Sequence, residues 1–285
     1  MNLKELNELS EGCYEFAFFD DCSENLIITF SPTSSFFLYN REMNAKKLCI
    51  ISTQPNYYLL NPGSTCKLIA KFIQNIKVKN IILLGSSKAG FASILWADLL
   101  NRVLNNRNIN IFSLAFSPQT QLYPFNESLG FPSYQKFYLG LERNPAMKKC
   151  AEKYGNLADF LKDSTLEGLI IYPSDHKTDR EEALKLSSNN ITLHSIPSPI
   201  HGTIFPFMSD VTKKANAEKL VNKLYQNAEK DPDLKSTLPE EQNILLSIIM
   251  KIEAPSLEDL CNSLFLYMSN KKEYLILNRF GLGTA

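Results

Sequence analysis

The sequence lacks several features that mark common classes of protein. Thirty basic and thirty acidic residues leave the 285-residue chain without net charge, so it has no overall basic excess for binding nucleic acid. No run of eighteen uninterrupted apolar residues occurs, so we expect no transmembrane helix. The N-terminal stretch MNLKELNELSEGCYEF lacks the apolar run of a signal peptide. We therefore expect a cytoplasmic protein with no nucleic-acid partner and no membrane span.

Cysteine and histidine are scarce and scattered. None of the six cysteines belongs to a CxxC pair, and their spacing suits neither a zinc site nor a disulfide framework. We expect free thiols in a reducing compartment and no bound metal. Only three histidines are present, at positions 176, 194 and 201, which limits the candidates for a catalytic base.

The apolar segments of the chain alternate between two kinds. Short β-rich segments are CYEFAFF, NLIITFS, KLCIIST, KNIILLGS, NINIFSLAFS, LEGLIIYPS and NNITLHSI. The later ones are continuously apolar, as in strands buried on both faces of a parallel sheet. Helical patterns between them are PGSTCKLIAKFIQNIK, KAGFASILWADLLNRVLNN and DREEALKLSSNN. This alternation predicts an α/β fold, with a mostly parallel sheet and helices on both faces.

Two regions interrupt the alternation. Residues 119–162 lie between two predicted strands, contain three prolines and are rich in aromatic residues, which predicts an inserted cap. The aromatic side chains there could stack on sugar rings or form the core of the cap. The region after about residue 210 shows only helical patterns. We expect an α/β core over 1–210 and a helical C-terminal extension over 211–285.

The segment ILLGSSKAGFASIL runs from a strand through small residues directly into a helix. A nucleophile elbow needs this arrangement, because its serine occupies a tight, strained turn between strand and helix. The pattern is G-x-S-x-A-G, which predicts Ser87 rather than Ser86 as the nucleophile. An ordinary tight turn and a phosphate-binding helix start are the alternatives.

A serine nucleophile needs a base and an acid. In proteins with a nucleophile elbow, the acid follows the serine in the chain and the histidine base comes last. His201 lies just after the last predicted strand, on a proline-rich loop, where the base is expected. Asp175 directly follows the preceding strand, and we favour it over Asp179, which is placed to stabilise the start of the next helix. The predicted triad is Ser87, Asp175 and His201.

Two stretches could donate hydrogen bonds to an oxyanion. The backbone N–H of Lys88 follows the nucleophile and opens the helix, with the positive end of the helix dipole behind it. A second donor would come from the loop after NLIITF, where Pro32 has no N–H. Ser31 and Thr33 are the candidates there.

The motifs IITFSPTSSFF, ILLGSSKAGFASIL, YPSDHKTDREEA and IHG together resemble α/β-hydrolase-fold proteins of bacterial surface-polysaccharide loci. The similarity is to capsular polysaccharide O-acetyltransferases with a G-S-S-K-G-G elbow. Ala89 of this chain stands where those proteins have a glycine. A more distant likeness is to accessory-secretion proteins that serve the export of glycosylated adhesins. The resemblance covers about residues 26–202 and does not extend to the helical extension.

The resemblance implies that Ser87 takes an acetyl group from acetyl-CoA and passes it to a sugar hydroxyl. Acetyl-CoA would then be a donor substrate rather than a bound cofactor, and the carbohydrate acceptor a polysaccharide. The residues themselves predict only serine acyl-transfer chemistry. A carboxylesterase or deacetylase with the same triad is the first alternative. A non-catalytic hydrolase-fold accessory protein in glycan assembly or secretion is the second.

Overall fold

The computed structural model of the chain describes residues 1–10, 12–54, 56–105, 108–187, 189–208 and 213–270. Its centre is one seven-stranded sheet, and each strand falls on a predicted segment. The strands are β1 (Tyr14–Phe19), β2 (Asn25–Phe30), β3 (Lys46–Ser52), β4 (Asn80–Ser86), β5 (Asn110–Phe116), β6 (Glu167–Pro173) and β7 (Ile191–Ile196).

The strand order β1-β3-β2-β4-β5-β6-β7 identifies the topology. Only β1 is antiparallel to its neighbour, pairing with β3 at one edge. The pairs β2–β3, β2–β4, β4–β5, β5–β6 and β6–β7 are all parallel. This is an α/β-hydrolase fold, as the sequence predicts.

Helices occupy the connections between strands, the cap and the C-terminal region. The first group is α1 (Leu3–Leu9), α2 (Pro62–Ile73), α3 (Lys88–Leu104), α4 (Pro132–Leu141), α5 (Pro145–Tyr154), α6 (Leu157–Phe160) and α7 (Lys177–Leu184). The second is α8 (Lys214–Ala228), α9 (Pro232–Thr237), α10 (Gln242–Lys251) and α11 (Leu257–Asn270). The sequence pattern did not predict α1 or α9, and within the predicted cap it specified none of α4, α5 and α6. The predicted boundary at residues 210–211 and the predicted helix end at residue 106 lie outside the described residues.

The two faces of the sheet are covered by different parts of the chain. On one face, strand residues such as Leu26 and Leu83 pack in a core with α1, α2, α3 and the cap helices. On the other face, Ile82 and Leu114 pack with apolar residues of α8, α10 and α11. Side chains of central strands must therefore be apolar on both faces, which explains the continuous apolar runs. The expected helices on both faces of the sheet are confirmed.

Because β2 and β4–β7 run parallel, the loops after them meet at one edge of the sheet. These loops carry the predicted nucleophile, acid and base, and the loop after β2 carries the predicted oxyanion donors. A short 3-10 helix (Phe205–Phe207) follows the loop after β7. Among the helices of the described residues, none has both the length and the apolar character needed to span a bilayer. All six cysteines are unpaired thiols.

Candidate active site

Ser87 lies at the turn between β4 and α3 in a backbone conformation that few residues adopt. Its φ is 57° and its ψ is −126°, which strains a residue that has a Cβ. The turn is held because the Ser87 N–H donates to the Phe116 carbonyl at 2.9 Å. A Cβ on Gly85 would lie 2.0 Å from the Ala89 carbonyl oxygen. The first turn of α3 therefore closes directly over Gly85, as a nucleophile elbow requires.

The helix that follows the elbow also makes a close approach to the loop after β5. A Cβ on Gly90 would lie 3.1 Å from two atoms of Pro118. That spacing is tighter than most real Cβ contacts, so glycine lets the first turn of α3 rest on this loop. Gly85 is thus required by the close approach of Ala89, and Gly90 by the close approach of Pro118.

His201 lies on the loop after β7 and is only 5% exposed. Its Nδ1 is 2.8 Å from both carboxylate oxygens of Asp179. Its Nε2 is buried and has no hydrogen-bond partner among the described residues. Ser87 and His201 line the same cavity, so the unpartnered Nε2 is available to a group in that cavity. The structure gives no direct hydrogen bond between the two side chains within the described residues, and such contacts often tighten only when substrate binds.

The carboxylate beside His201 is Asp179, not the predicted Asp175. Asp175 is exposed, and its Oδ1 accepts a hydrogen bond from Ser174 Oγ at 2.8 Å. Asp179 is 2% exposed and lies in the first turn of α7. The preference for Asp175 is therefore corrected: the first turn of the helix, rather than the end of the strand, brings the carboxylate to the histidine.

Asp179 lies between two histidines. His176 Nδ1 is 3.2 Å from Asp179 Oδ2 and 3.4 Å from the Asp179 backbone nitrogen. It donates to the carboxylate when it carries a proton and can accept the backbone N–H only when it does not. Burial alone would raise the pKa of the Asp179 carboxyl, but His201 and His176 outweigh it and lower the pKa below the ordinary value. The hydrogen bond to Asp179 raises the pKa of His176. Asp179 is thus held ionised beside His201.

The predicted oxyanion donors differ in their availability. The Lys88 N–H is the first of α3 and has no acceptor within the helix. The Ser31 N–H already donates to the Tyr58 hydroxyl at 3.0 Å and to the Ile50 carbonyl at 3.2 Å. The Thr33 N–H donates to Ser31 Oγ at 3.2 Å, a long bond. The backbone of Ser31 is therefore occupied, while Lys88 and Thr33 remain candidates.

A cavity of about 660 Å³ opens above Ser87 and His201. The loop after β2 forms one wall with Phe36, Phe37 and Leu38. Another part of the lining comes from α8 and α9, which the sequence had not connected with the site. Its apolar lining residues are Leu220, Leu224 and Leu234. The C-terminal helices therefore contribute part of the cavity lining, and we call this part the roof.

One residue of α9 connects this roof to the elbow. Asp233 Oδ2 is 3.3 Å from Lys88 Nζ, and Asp233 Oδ1 accepts the Ser133 N–H at 2.9 Å. Ser133 lies in the first turn of α4, whose N-cap residue Phe131 provides no side-chain hydrogen bond. Asp233 thus accepts a hydrogen bond from a backbone N–H in the first turn of α4. It also pairs with Lys88, the residue after Ser87.

The aromatic residues of the cap differ in their burial. Tyr134 is fully buried, and its hydroxyl accepts the Asn126 N–H at 2.7 Å. Phe137 is also buried. Phe131 is the aromatic residue of this group that lines the cavity, with its ring centroid 4.8 Å from that of His201. Tyr134 and Phe137 therefore serve packing, whereas Phe125 is exposed.

Sequence reasoning did not anticipate Gln119, whose Nε2 donates to Ser87 Oγ at 3.1 Å. It considered Asp179 but gave it a helix-capping role. No motif marks Gln119, because its contact depends on the path of the loop after β5. The first-turn position of Asp179 was the one signal that could have raised its rank, since such a side chain points back toward the edge of the sheet.

Comparisons with known proteins do not assign the chain to a family. No family model matches the chain, and no curated protein matches it by sequence. Similar solved structures include the capsule O-acetyltransferase of Neisseria meningitidis serogroup A, at 18% identity and a TM-score of 0.45, covering 65% of this chain and 82% of that one. Esterase B from Lactobacillus rhamnosis has 14% identity and a TM-score of 0.46, with 73% and 79% covered.

A third similar structure is acetyl xylan esterase 1 from Thermoanaerobacterium, at 12% identity and a TM-score of 0.42. It covers 64% of this chain and 71% of its own. At such identities and TM-scores these likenesses do not decide an activity. The function has to be argued from the geometry of the site.

Proposed function

We propose that the protein is a serine acyltransferase in which Ser87, His201 and Asp179 form the catalytic triad. One observation carries the proposal: a serine held at φ 57° opens onto a cavity that is also lined by His201, whose Nδ1 is paired with a buried carboxylate. Backbone strain of this kind persists only where the surrounding structure enforces it, and it clusters at functional sites. An ordinary tight turn at Ser87 would not require the buried Asp179–His201 pair beside it.

The geometry supports a two-stage reaction. Ser87 Oγ attacks an acyl carbonyl carbon while its proton passes to His201 Nε2. Asp179 holds the ring through Nδ1 and stabilises the imidazolium that forms. The Lys88 N–H, at the positive end of α3, is placed to donate to the oxyanion. The leaving group takes the proton from His201, and an acceptor hydroxyl then repeats the steps in reverse to release Ser87.

For the substrates, we propose acetyl transfer from acetyl-CoA to a hydroxyl of a capsular or surface polysaccharide. The sequence resemblance supports this choice. The apolar side chains that α8 and α9 add to the cavity lining also support this choice, because an apolar surface beside an acyl-enzyme disfavours attack by water. Of the cationic residues that line the cavity, Lys88 is paired with Asp233 and Arg41 donates to the Met208 carbonyl, while the exposed Lys223 could contact a phosphate of such a donor.

The test is intact-mass measurement of the protein with acetyl-CoA and no acceptor, alongside Ser87→Ala and with thiol release followed in parallel. We expect one added acetyl group on the wild-type chain and none on the variant. Thiol release that continues without an adduct would point to an esterase that hydrolyses the intermediate. Neither an adduct nor thiol release would contradict the acetyl-CoA assignment.

A further inference from the structure

Gln119 is an unexpected neighbour of the nucleophile. It is 2% exposed, and its Nε2 donates to Ser87 Oγ at 3.1 Å. Its Oε1 is buried and has no hydrogen-bond partner among the described residues. A buried amide with one unsatisfied half is unfavourable for folding. An apolar side chain of similar size would pack there without that penalty, so packing alone does not account for a glutamine.

The segment that carries Gln119 is fixed by a buried carboxylate on its C-terminal side. Glu182 of α7 is 1% exposed. It accepts the Thr120 N–H at 2.6 Å and the Gln121 N–H at 2.9 Å. It also accepts from Asn126 Nδ2 at 2.8 Å and pairs with Lys185. These bonds fix the backbone immediately after Gln119.

The N-terminal side of the same segment is tied to the histidine loop. The Ser117 N–H donates to the Ile171 carbonyl at 2.9 Å. Ser117 Oγ and Thr203 Oγ1 are 2.8 Å apart, and the Thr203 N–H donates to the His201 carbonyl at 2.9 Å. With Pro118 resting on Gly90, the position of Gln119 relative to the elbow is set from three directions.

Helix α7 links these contacts to the triad. Asp179 and Glu182 lie three residues apart and so share a face of the helix. Asp179 orients the base, while Glu182 fixes the segment that carries Gln119. One helix therefore positions partners for both the histidine and the serine of the proposed triad.

We propose that Gln119 is a catalytic residue that holds Ser87 Oγ through its Nε2–H and that Glu182 is its positioning residue. With an Oγ lone pair occupied by Gln119, the serine O–H is left to donate to His201 Nε2. As this proton moves to His201, the amide stabilises the partial negative charge on Oγ. When Oγ bonds to the acyl carbon, that charge passes to the carbonyl oxygen. Gln119 itself gains and loses no proton. The inference rests on the proposed function of Ser87 as nucleophile.

The experiment measures the second-order rate constant for inactivation by a fluorophosphonate, which reacts with an activated serine without needing the natural substrates. We expect Gln119→Met to lower the rate constant roughly 10- to 100-fold, as for the loss of a hydrogen bond to a charged group. Gln135→Met, an exposed glutamine of α4, is the matched control and should stay within twofold. Glu182→Gln should lower the rate constant more than Glu181→Gln does, since Glu181 is the exposed neighbour of Glu182.

The variant Gln119→Glu tests whether Gln119 acts in the reaction or only in packing. Because the readout is the change of a ratio with pH, a uniform loss of folded protein does not affect it. A protonated carboxyl can donate to Oγ, whereas an ionised one cannot and repels the developing charge. The ratio of the variant's rate constant to the wild-type value at the same pH should therefore fall as pH rises from about 5 to about 9. A ratio that does not change with pH would overturn the role of Gln119.

The outcomes also separate this inference from the proposed function. If the wild-type chain reacts and Gln119→Met reacts within twofold of it, Gln119 is not catalytic and the triad stands. If the wild-type chain does not react at Ser87, both the proposed function and the role of Gln119 are refuted.

Discussion

Replacing Asp179 by asparagine should remove most of the activity, while the same change at Asp175 should have little effect. Both Asp179 oxygens are 2.8 Å from His201 Nδ1, and the two side chains are 2% and 6% exposed. Two unit charges about 4 Å apart at an effective dielectric constant of about 20 interact by about 4 kcal/mol. That energy acts when His201 becomes an imidazolium, so its loss corresponds to about 1,000-fold in rate.

The assay is the rate of p-nitrophenyl acetate hydrolysis, with the fluorophosphonate inactivation rate as a second readout. We expect Asp179→Asn to lower both by about three orders of magnitude. Asp175→Asn should stay within about twofold, because that side chain is exposed and its carboxylate accepts a hydrogen bond from Ser174 Oγ rather than contacting His201. A comparable loss in the two variants, or less than tenfold in Asp179→Asn with an unchanged melting temperature, would refute the pairing.

Further predictions concern the elbow, the roof and pH. Gly85→Ala should lower the free energy of unfolding by at least about 2 kcal/mol in urea denaturation, since its Cβ would meet backbone at 2.0 Å; Gly140→Ala, in an open helical position, should raise it by up to about 1 kcal/mol. A double-mutant cycle on Lys88 and Asp233, 3.3 Å apart and partly buried, should give a coupling of about 0.5–1 kcal/mol, and a coupling of zero would show that this pair does not hold α9 to the elbow. Because the pKa of His176 is raised, its stabilisation is complete below about pH 6.5 and is lost as pH rises through the raised value. His176→Asn should therefore lose more unfolding free energy at pH 5.5 than at pH 9, and equal losses would contradict this.

The framework of the fold could be predicted because it depends on local pattern. Continuous apolar runs mark strands buried on both faces, and all seven form the sheet. The helix α9 could not be predicted, since PDLKST has too few apolar residues to show a period. That the C-terminal helices cover a sheet face and line part of the cavity also lies beyond sequence pattern, because helical periodicity does not specify what an apolar stripe packs against.

Motif and chain order selected Ser87 and His201 as the proposed nucleophile and base, whereas the contacts of these two residues depend on distant parts of the chain. Asp175 and Asp179 are four residues apart, and only the path of the loop before α7 decides which one meets His201. The Ser31 N–H is occupied by the Tyr58 hydroxyl, 27 residues away. Neither relation leaves a mark on the local sequence.

The most direct test of the account is to label the protein with a fluorophosphonate and locate the modified residue by peptide mass spectrometry. The account predicts a single adduct on Ser87, absent from Ser86, and strongly slowed in His201→Ala. Modification of Ser86 instead, labelling that does not depend on His201, or no adduct on the folded protein would contradict it.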